Sequence, residues 1–267
     1  MPYGRPRRYK PNINKNPSGT YWIYGFHTVL AALNNPNREI KRVVISKNIS
    51  HPTLKNKQFK IENRSNTELK ALLPEGSVHQ GIACLVDTLR TPTLECFCEN
   101  FSDIKNACVI ILDQVTDPQN IGAVIRSAAF FGAQAVIVKD RNTPPITGVI
   151  AKAASGGLEK TLLIRSTNIS RAINLLKQKG FWCIGFDSGA KTNFESLKIS
   201  QPTGIVLGAE GYGLRKLVRQ SCDQLVKIQG NGELKDLNIS NAAAIALYEI
   251  KKIIHGLSFR IFSHNLT

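Results

Sequence analysis

The chain has 267 residues, enough for one large domain or two small ones. Hydrophobic residues make up 42%, sufficient for a packed core, yet no stretch approaches the ~20 consecutive apolar residues that span a bilayer, so no membrane helix is expected. Lys and Arg outnumber Asp and Glu by 35 to 19, and the resulting net charge of +16 points to a polyanionic partner, nucleic acid or ribosome, rather than an acidic or apolar one.

In chain order, residues 1–20 (MPYGRPRRYKPNINKNPSGT) carry five basic residues and no acid. They are expected to form a disordered basic arm, either touching RNA or a plain terminus, and they lack the apolar core of a signal peptide. Residues 21–90 read as a small α/β unit. IYGFHTVLAALNN is an apolar-periodic helix ending near Asn34 and Asn35, and KRVVISK (41–47) is a strand. A short helix spans Asn66 to Leu73, with Thr67 as its cap and Pro74 as its stop, and SVHQGIACLV (77–86) is another strand. Residues 91–105 read as a linker.

From 106 to 258 strands alternate with helices, and residues 259–267 are left as a tail. ACVIILD, AQAVIVK, TLLIR, FWCIGFD, TGIVLG and QLVKIQG are the strands. DPQNIGAVIRSAAFFGA, TGVIAKAASGGLE, SRAINLLKQKG, LRKLVRQS and ISNAAAIALYEIKKII are the helices, the second broken at Gly156-Gly157. Continuous apolar strands suit a sheet buried on both faces, so the class is α/β with a mainly parallel sheet. The six cysteines show no CxxC pair, and Cys84, Cys108 and Cys183 lie within apolar runs, as reduced thiols of a cytoplasmic protein would. Neither they nor the five histidines have metal-ligand spacing, and no metal is expected.

Three constellations can carry chemistry. In DPQNIGAVIRSA, Asp117-Pro118 or Asn120 caps a helix whose only charged side chain is Arg126. Arg126 shares a helical face with Gly122, Ala123, Ala129 and Phe130, small residues that let another backbone or a ligand approach closely. A guanidinium stays protonated, so there it either meets an anion or keeps its head in water. In GIVLGAEGYGLRKL, a strand runs into a glycine-rich loop bearing Glu210, either a ligand-cradling loop or a tight turn, and not in the GxGxxG order of a dinucleotide site. In IQGNGELKDLNISNAAAIALYE, Asn238 or Ser240 caps a helix rich in small residues, a close-packing face.

Together and in this order, DQVTDPQNIGAVIRSA, VLGAEGYG and LNISNAAAIALYE resemble the three motifs of the SpoU (TrmH-like) class of RNA ribose 2′-O-methyltransferases. IYGFHTVLAAL and VHQGI look like the front substrate-binding unit of members that modify a guanosine of bacterial 23S ribosomal RNA, the RlmB type. The resemblance covers residues 22–255. It implies S-adenosylmethionine as methyl donor, a homodimer, and a C-terminal domain tied in a deep trefoil knot. It maps the catalytic residues to Asn120, Arg126, Glu210 and Asn238, and the donor-binding positions to Gly208, Ile228 and Leu237.

Two motifs depart from the family pattern. Ile228-Gln229-Gly230 stands where the family reads Ile-Pro-Met, and Asp236-Leu237-Asn238 where it reads Ser-Leu-Asn, so a carboxylate replaces a hydroxyl beside the donor. The expected substrate is large-subunit ribosomal RNA. The alternatives are the same chemistry on transfer RNA and a non-catalytic RNA-binding or ribosome-assembly protein on the same scaffold.

Overall fold

Gly25, with φ 92°, divides what the sequence reads as one apolar helix. In the computed structural model, which describes residues 19–46, 49, 52–55, 59–100, 107–230, 232–233 and 236–254, Ile23 and Tyr24 complete strand β1 (Thr20–Tyr24). Helix α1 is only Phe26–Leu33. The aromatic and β-branched run before Gly25 favours an extended chain, and the apolar period alone did not separate it from the helix. Apart from Gly19 and Thr20, the basic arm lies outside the described residues, as does the tail.

The front unit continues with β2 (Ile40–Ser46), β3 (Ile61–Arg64), α2 (Asn66–Ala71) and β4 (Ile82–Asp87). Strand β3, polar and four residues long, gave no periodic signal. The cap of α2 is Ser65, not Thr67: Ser65 Oγ accepts from the Glu68 N–H, and the Glu68 carboxylate accepts from the Ser65 N–H at 2.8 Å. Strand β4 starts later than expected because Gln80 (φ 53°) and Gly81 (φ 75°) turn the chain first. The four strands pair in the order β1-β4-β2-β3, antiparallel except for β2 with β3. The segment read as a linker carries α3 (Leu94–Asn100), whose Leu94, Phe97 and Cys98 are buried in a core cluster with residues of the second unit.

The second unit runs β5 (Cys108–Asp113), α4 (Pro118–Phe131), β6 (Ala135–Lys139), α5 (Gly148–Ala154), a 3-10 turn (Gly157–Glu159), β7 (Leu162–Ser166) and α6 (Ile169–Gln178). It then adds β8 (Trp182–Phe186), β9 (Thr192–Asn193), β10 (Thr203–Gly208), α7 (Lys216–Ser221), β11 (Gln224–Lys227) and α8 (Ile239–Ile254). All seven strands are parallel, in the order β7-β6-β5-β10-β8-β11-β9. Both faces are covered, which explains the unbroken apolar strands. Cys108, Ile110 and Leu112 of β5 pack with α4, α5 and α8, while Val109 and Ile111 pack with α3, α6 and α7. No helix among the described residues is long and apolar enough to cross a membrane. Burial pushes the Cys84 and Cys108 thiols up to about 12, so neither is a reactive thiolate at neutral pH.

Close packing explains the small residues of α4. A Cβ on Gly122 would lie 2.4 Å from the Ala153 Cβ and 2.7 Å from the Ile150 carbonyl oxygen of α5. The neighbour that Gly122 admits is therefore another helix, not a ligand. Gly122→Ala is expected to push α4 and α5 apart at a cost of about 1–3 kcal/mol, read as a lower urea midpoint with unchanged m.

The front unit sits against α5 and the turn that follows it. Gly148 touches the Trp22 carbonyl, with room for no Cβ, and the Thr28 hydroxyl donates to the Ala151 carbonyl at 3.3 Å. Arg38 and Glu159 form a salt bridge across this boundary, with side chains only 1% and 3% exposed.

Candidate active site

Asp117 settles which residue caps α4. Its carboxylate oxygens accept from the Gln119 and Asn120 N–H groups, both at 3.1 Å, which releases the Asn120 side chain for other work. Asn238 does two jobs at the start of α8. Its Oδ1 accepts from the Ser240 N–H at 2.9 Å, while its Nδ2 donates to Asn120 Oδ1 at 2.9 Å and to Glu210 Oε1 at 2.7 Å. Glu210 Oε1 also accepts from Asn120 Nδ2 at 3.1 Å and from the Ile239 N–H at 3.3 Å. One carboxylate oxygen of the second motif thus collects three donors from the first and third, and the three side chains form a single network at the carboxyl end of the sheet. Charge assistance makes such bonds stronger than neutral ones.

The loop carrying Glu210 is a tight turn built by glycine. The chain doubles back so that the Gly213 N–H donates to the Ala209 carbonyl at 2.8 Å, with Gly211 and Gly213 at φ 78° and 63°. Gly208 meets the returning backbone so closely that a Cβ would fall 2.1 Å from Gly213 C. A second anchor was not read from the sequence. Asp113, fully buried at the end of β5, accepts from Arg215 Nε at 2.9 Å, from its Nη2 at 2.6 Å and from its backbone N–H at 3.1 Å. This clamp ties the loop's exit to the strand that precedes α4, holding Glu210 opposite Asn120. The signal was present: Asp113 is the one acid in an otherwise apolar buried strand, and such a charge requires a partner.

Gly208, Ile228 and Leu237 come together as lining of one cavity of about 280 Å³ beside this network. Its apolar wall includes Phe186, Leu207 and Ala242. Its polar side holds Asp187, Glu210 and Asp236 together with Arg219 and Lys227, and Asp187 is paired to Arg219 at 3.2 Å. Apolar surface for a ring and carboxylates for a cationic centre fit a ligand that carries both. Gln229 accepts a hydrogen bond from the Asn193 side chain of β9.

Arg126 is not brought into the network. Six residues on from Asn120, it lies about 9 Å along the helix and about 120° round it. Its side chain is exposed, and among the described residues it makes no hydrogen bond or ion pair. Its backbone rests against Gly157 of the turn after α5.

Known proteins resemble the chain over both units. Residues 107–248 match the SpoU rRNA Methylase family, and residues 22–92 match the RNA 2′-O ribose methyltransferase substrate-binding family. The chain is 34% identical over 238 residues to the 23S rRNA (guanosine-2′-O-)-methyltransferase RlmB of Haemophilus influenzae, covering 85% of this chain and 96% of that one. It is 37% identical to an uncharacterized tRNA/rRNA methyltransferase of Synechocystis, covering 85% of this chain but spanning 61% of that longer protein. The solved SpoU methyltransferase AviRb of Streptomyces viridochromogenes superposes with a TM-score of 0.74 at 21% identity, over 89% of this chain and 91% of that one, which shows the fold. AviRb has also been solved in complex with AdoMet, with a TM-score of 0.74 at 20% identity over 88% and 90% of the two chains. The matches over both units, with the three motifs joined in one site, establish that the chain belongs to the SpoU rRNA methylase family.

Proposed function

We propose that this protein is an S-adenosylmethionine-dependent RNA ribose 2′-O-methyltransferase acting on a guanosine of 23S ribosomal RNA. The observation that carries the reading is the shared position of Glu210, which lines the cavity of Gly208, Ile228 and Leu237 and also gathers Asn120 and Asn238. The RlmB relative at 34% identity supports the substrate, as does the basic surplus of the chain. Six free cysteines, five of them buried, support a reducing, cytoplasmic setting.

When bound, S-adenosylmethionine supplies a methyl group already activated on a sulfonium. The residues of this chain have to hold the ribose 2′-oxygen in line with it, an alignment that supplies several kcal/mol. Gly208, Ile228 and Leu237 would hold the donor, and Asp236 would place negative charge beside its cation. Glu210 fixes the two carboxamides of Asn120 and Asn238, so none has to reorganise as the reaction proceeds. Arg126 binds the phosphate beside the target ribose and polarises the 2′-oxygen, since a guanidinium keeps its proton and serves as a donor, not a base.

A homodimer belongs to the reading. Phe130 of α4 is 82% exposed, and its ring meets Phe131, which in turn meets the exposed Tyr248 of α8, an apolar face that a second copy would cover. Arg126 lies on the same side of α4 as Phe130. The trefoil knot of the family belongs to it as well, supported by the insertion of β10 between β5 and β8.

Tritiated donor incubated with deproteinised large-subunit RNA tests the function. Label is expected in a single alkali-resistant dinucleotide of 23S RNA. Donor binding without any label in RNA would favour the non-catalytic RNA-binding reading.

A further inference from the structure

A second cavity, of about 350 Å³, opens at the carboxyl ends of β5 and β6. It shares a wall with the donor cavity: Ala209, Glu210, Tyr212 and Ile239 line both. A methyl acceptor has to come to near-contact with its donor, so the space across that wall is where an acceptor fits. Its volume lies within the range of pockets for single small ligands.

Three features give this space a chemistry. The side away from Glu210 is cationic, with Lys139 ending β6 and Arg141 following it, and among the described residues neither cation has a hydrogen-bond or ion-pair partner. Lys139 also lines a neighbouring groove with Lys216 and Asn168, so the basic path continues out of the cavity. Second, of the four non-glycine residues at positive φ among the described residues, Gln114 (φ 61°) and Asn142 (φ 71°) both line this cavity. Such conformations cost about 1–3 kcal/mol each and gather at functional sites. Here they bring two carboxamides, donors and acceptors both, to one rim. Third, the Tyr212 ring on the shared wall is 93% exposed, an available platform for a base to stack on.

We propose that this second cavity takes the target ribonucleotide, unstacked from its strand, with Lys139 and Arg141 on the flanking phosphates and Gln114 and Asn142 beside the base. The assignment rests on the methyltransferase reading and adds to it the residues that seat the RNA. Entry of one splayed nucleotide is how proteins reach bases of single-stranded loops.

The test compares Lys139→Ala/Arg141→Ala with Lys160→Ala/Lys179→Ala, which removes the same charge at the opposite, amino edge of the sheet. The probe is deproteinised large-subunit RNA, in both methyl transfer and filter binding over a salt series. The first pair is expected to raise KM for RNA about tenfold and to flatten the log–log salt slope by about two. Its kcat should stay within about twofold, and its donor affinity by calorimetry should not change. The control pair should leave KM and slope near wild type. An unchanged KM in the first pair, or an equal rise in both, overturns the proposal. If the wild-type chain transfers no methyl group, the methyltransferase reading fails by itself. The salt slopes then decide the cavity alone: a loss confined to the first pair sustains RNA seating there, and equal slopes end it.

Discussion

Arg126→Ala is expected to lower methyl transfer to deproteinised ribosomal RNA about 10²–10³-fold, the range for removing one preorganised charge-stabilising donor. Its donor affinity should stay at the wild-type value, because Arg126 does not line the donor cavity. Arg126→Lys should fail nearly as badly, since a point charge does not reproduce the fork that grips a phosphate. The structure adds a sharper test. Within one chain the Arg126 side chain is exposed and apart from the Asn120–Glu210–Asn238 network, on the same side of α4 as the exposed Phe130. If two copies pair across that face with the arginine of one set against the site of the other, each site is built from both chains. An inactive Arg126→Ala protein mixed with an inactive Glu210→Ala protein, then allowed to exchange subunits, should recover activity. Statistical pairing in a two-fold dimer leaves about a quarter of the sites intact. Recovery to that level, measured as tritium in RNA, is the expected result. No recovery in a mixture shown to exchange would rule out an arginine acting across the interface. Full activity of Arg126→Ala alone would remove it from the chemistry.

What could be read before any fold was known depended on the range of each interaction. The apolar β5 and a cap for α4 at Asp117 or Asn120 are local matters, and period or capping chemistry read them. The misreadings were local too. Gly25 breaks an apolar run that periodicity reads as one helix, and the Ser65–Glu68 box outranks Thr67 because it satisfies two N–H groups instead of one. Strands β3 and β9 were missed because four and two residues cannot show an alternation. The site is the opposite case. Glu210 and Asn120 are 90 residues apart and Asn238 and Asn120 are 118 apart, so no pattern within a window joins them. The family resemblance linked them, and the fold shows the physical means: parallel strands β5 and β10 are neighbours, which puts the loops at their carboxyl ends side by side. Gly122 shows the limit of reasoning by residue type. A small residue admits something close, and only the fold says that here it is α5.

Glu159→Ala is expected to destabilise the protein by about 3–5 kcal/mol, because it strands a buried guanidinium. In the intact chain Glu159 accepts from Arg38 and, at 2.6 Å, from Asn35 Nδ2, while Arg38 Nη1 also donates to the Asp87 carbonyl at 2.8 Å and to the Tyr21 hydroxyl at 3.2 Å. Every group in that network but Glu159 comes from the front unit, so the carboxylate is the second unit's hold on it. At about 2–4 °C per kcal/mol for a chain of this size class, the midpoint should fall by roughly 6–20 °C. A buried pair is not in itself more stabilising than apolar packing. Arg38→Met/Glu159→Leu should therefore recover much of the loss, short of wild type because the Asp87 carbonyl and Asn35 lose partners. Urea melts of the three proteins, followed at Trp22 beside the boundary, measure this. A cost below about 1 kcal/mol for Glu159→Ala would mean that water reaches the pair and the boundary opens in solution. A cost in the expected range means that the front unit is held at a set distance from Glu210. RNA bound by one unit then meets the other already aligned, and Glu159→Ala should raise KM for RNA at temperatures well below its melt.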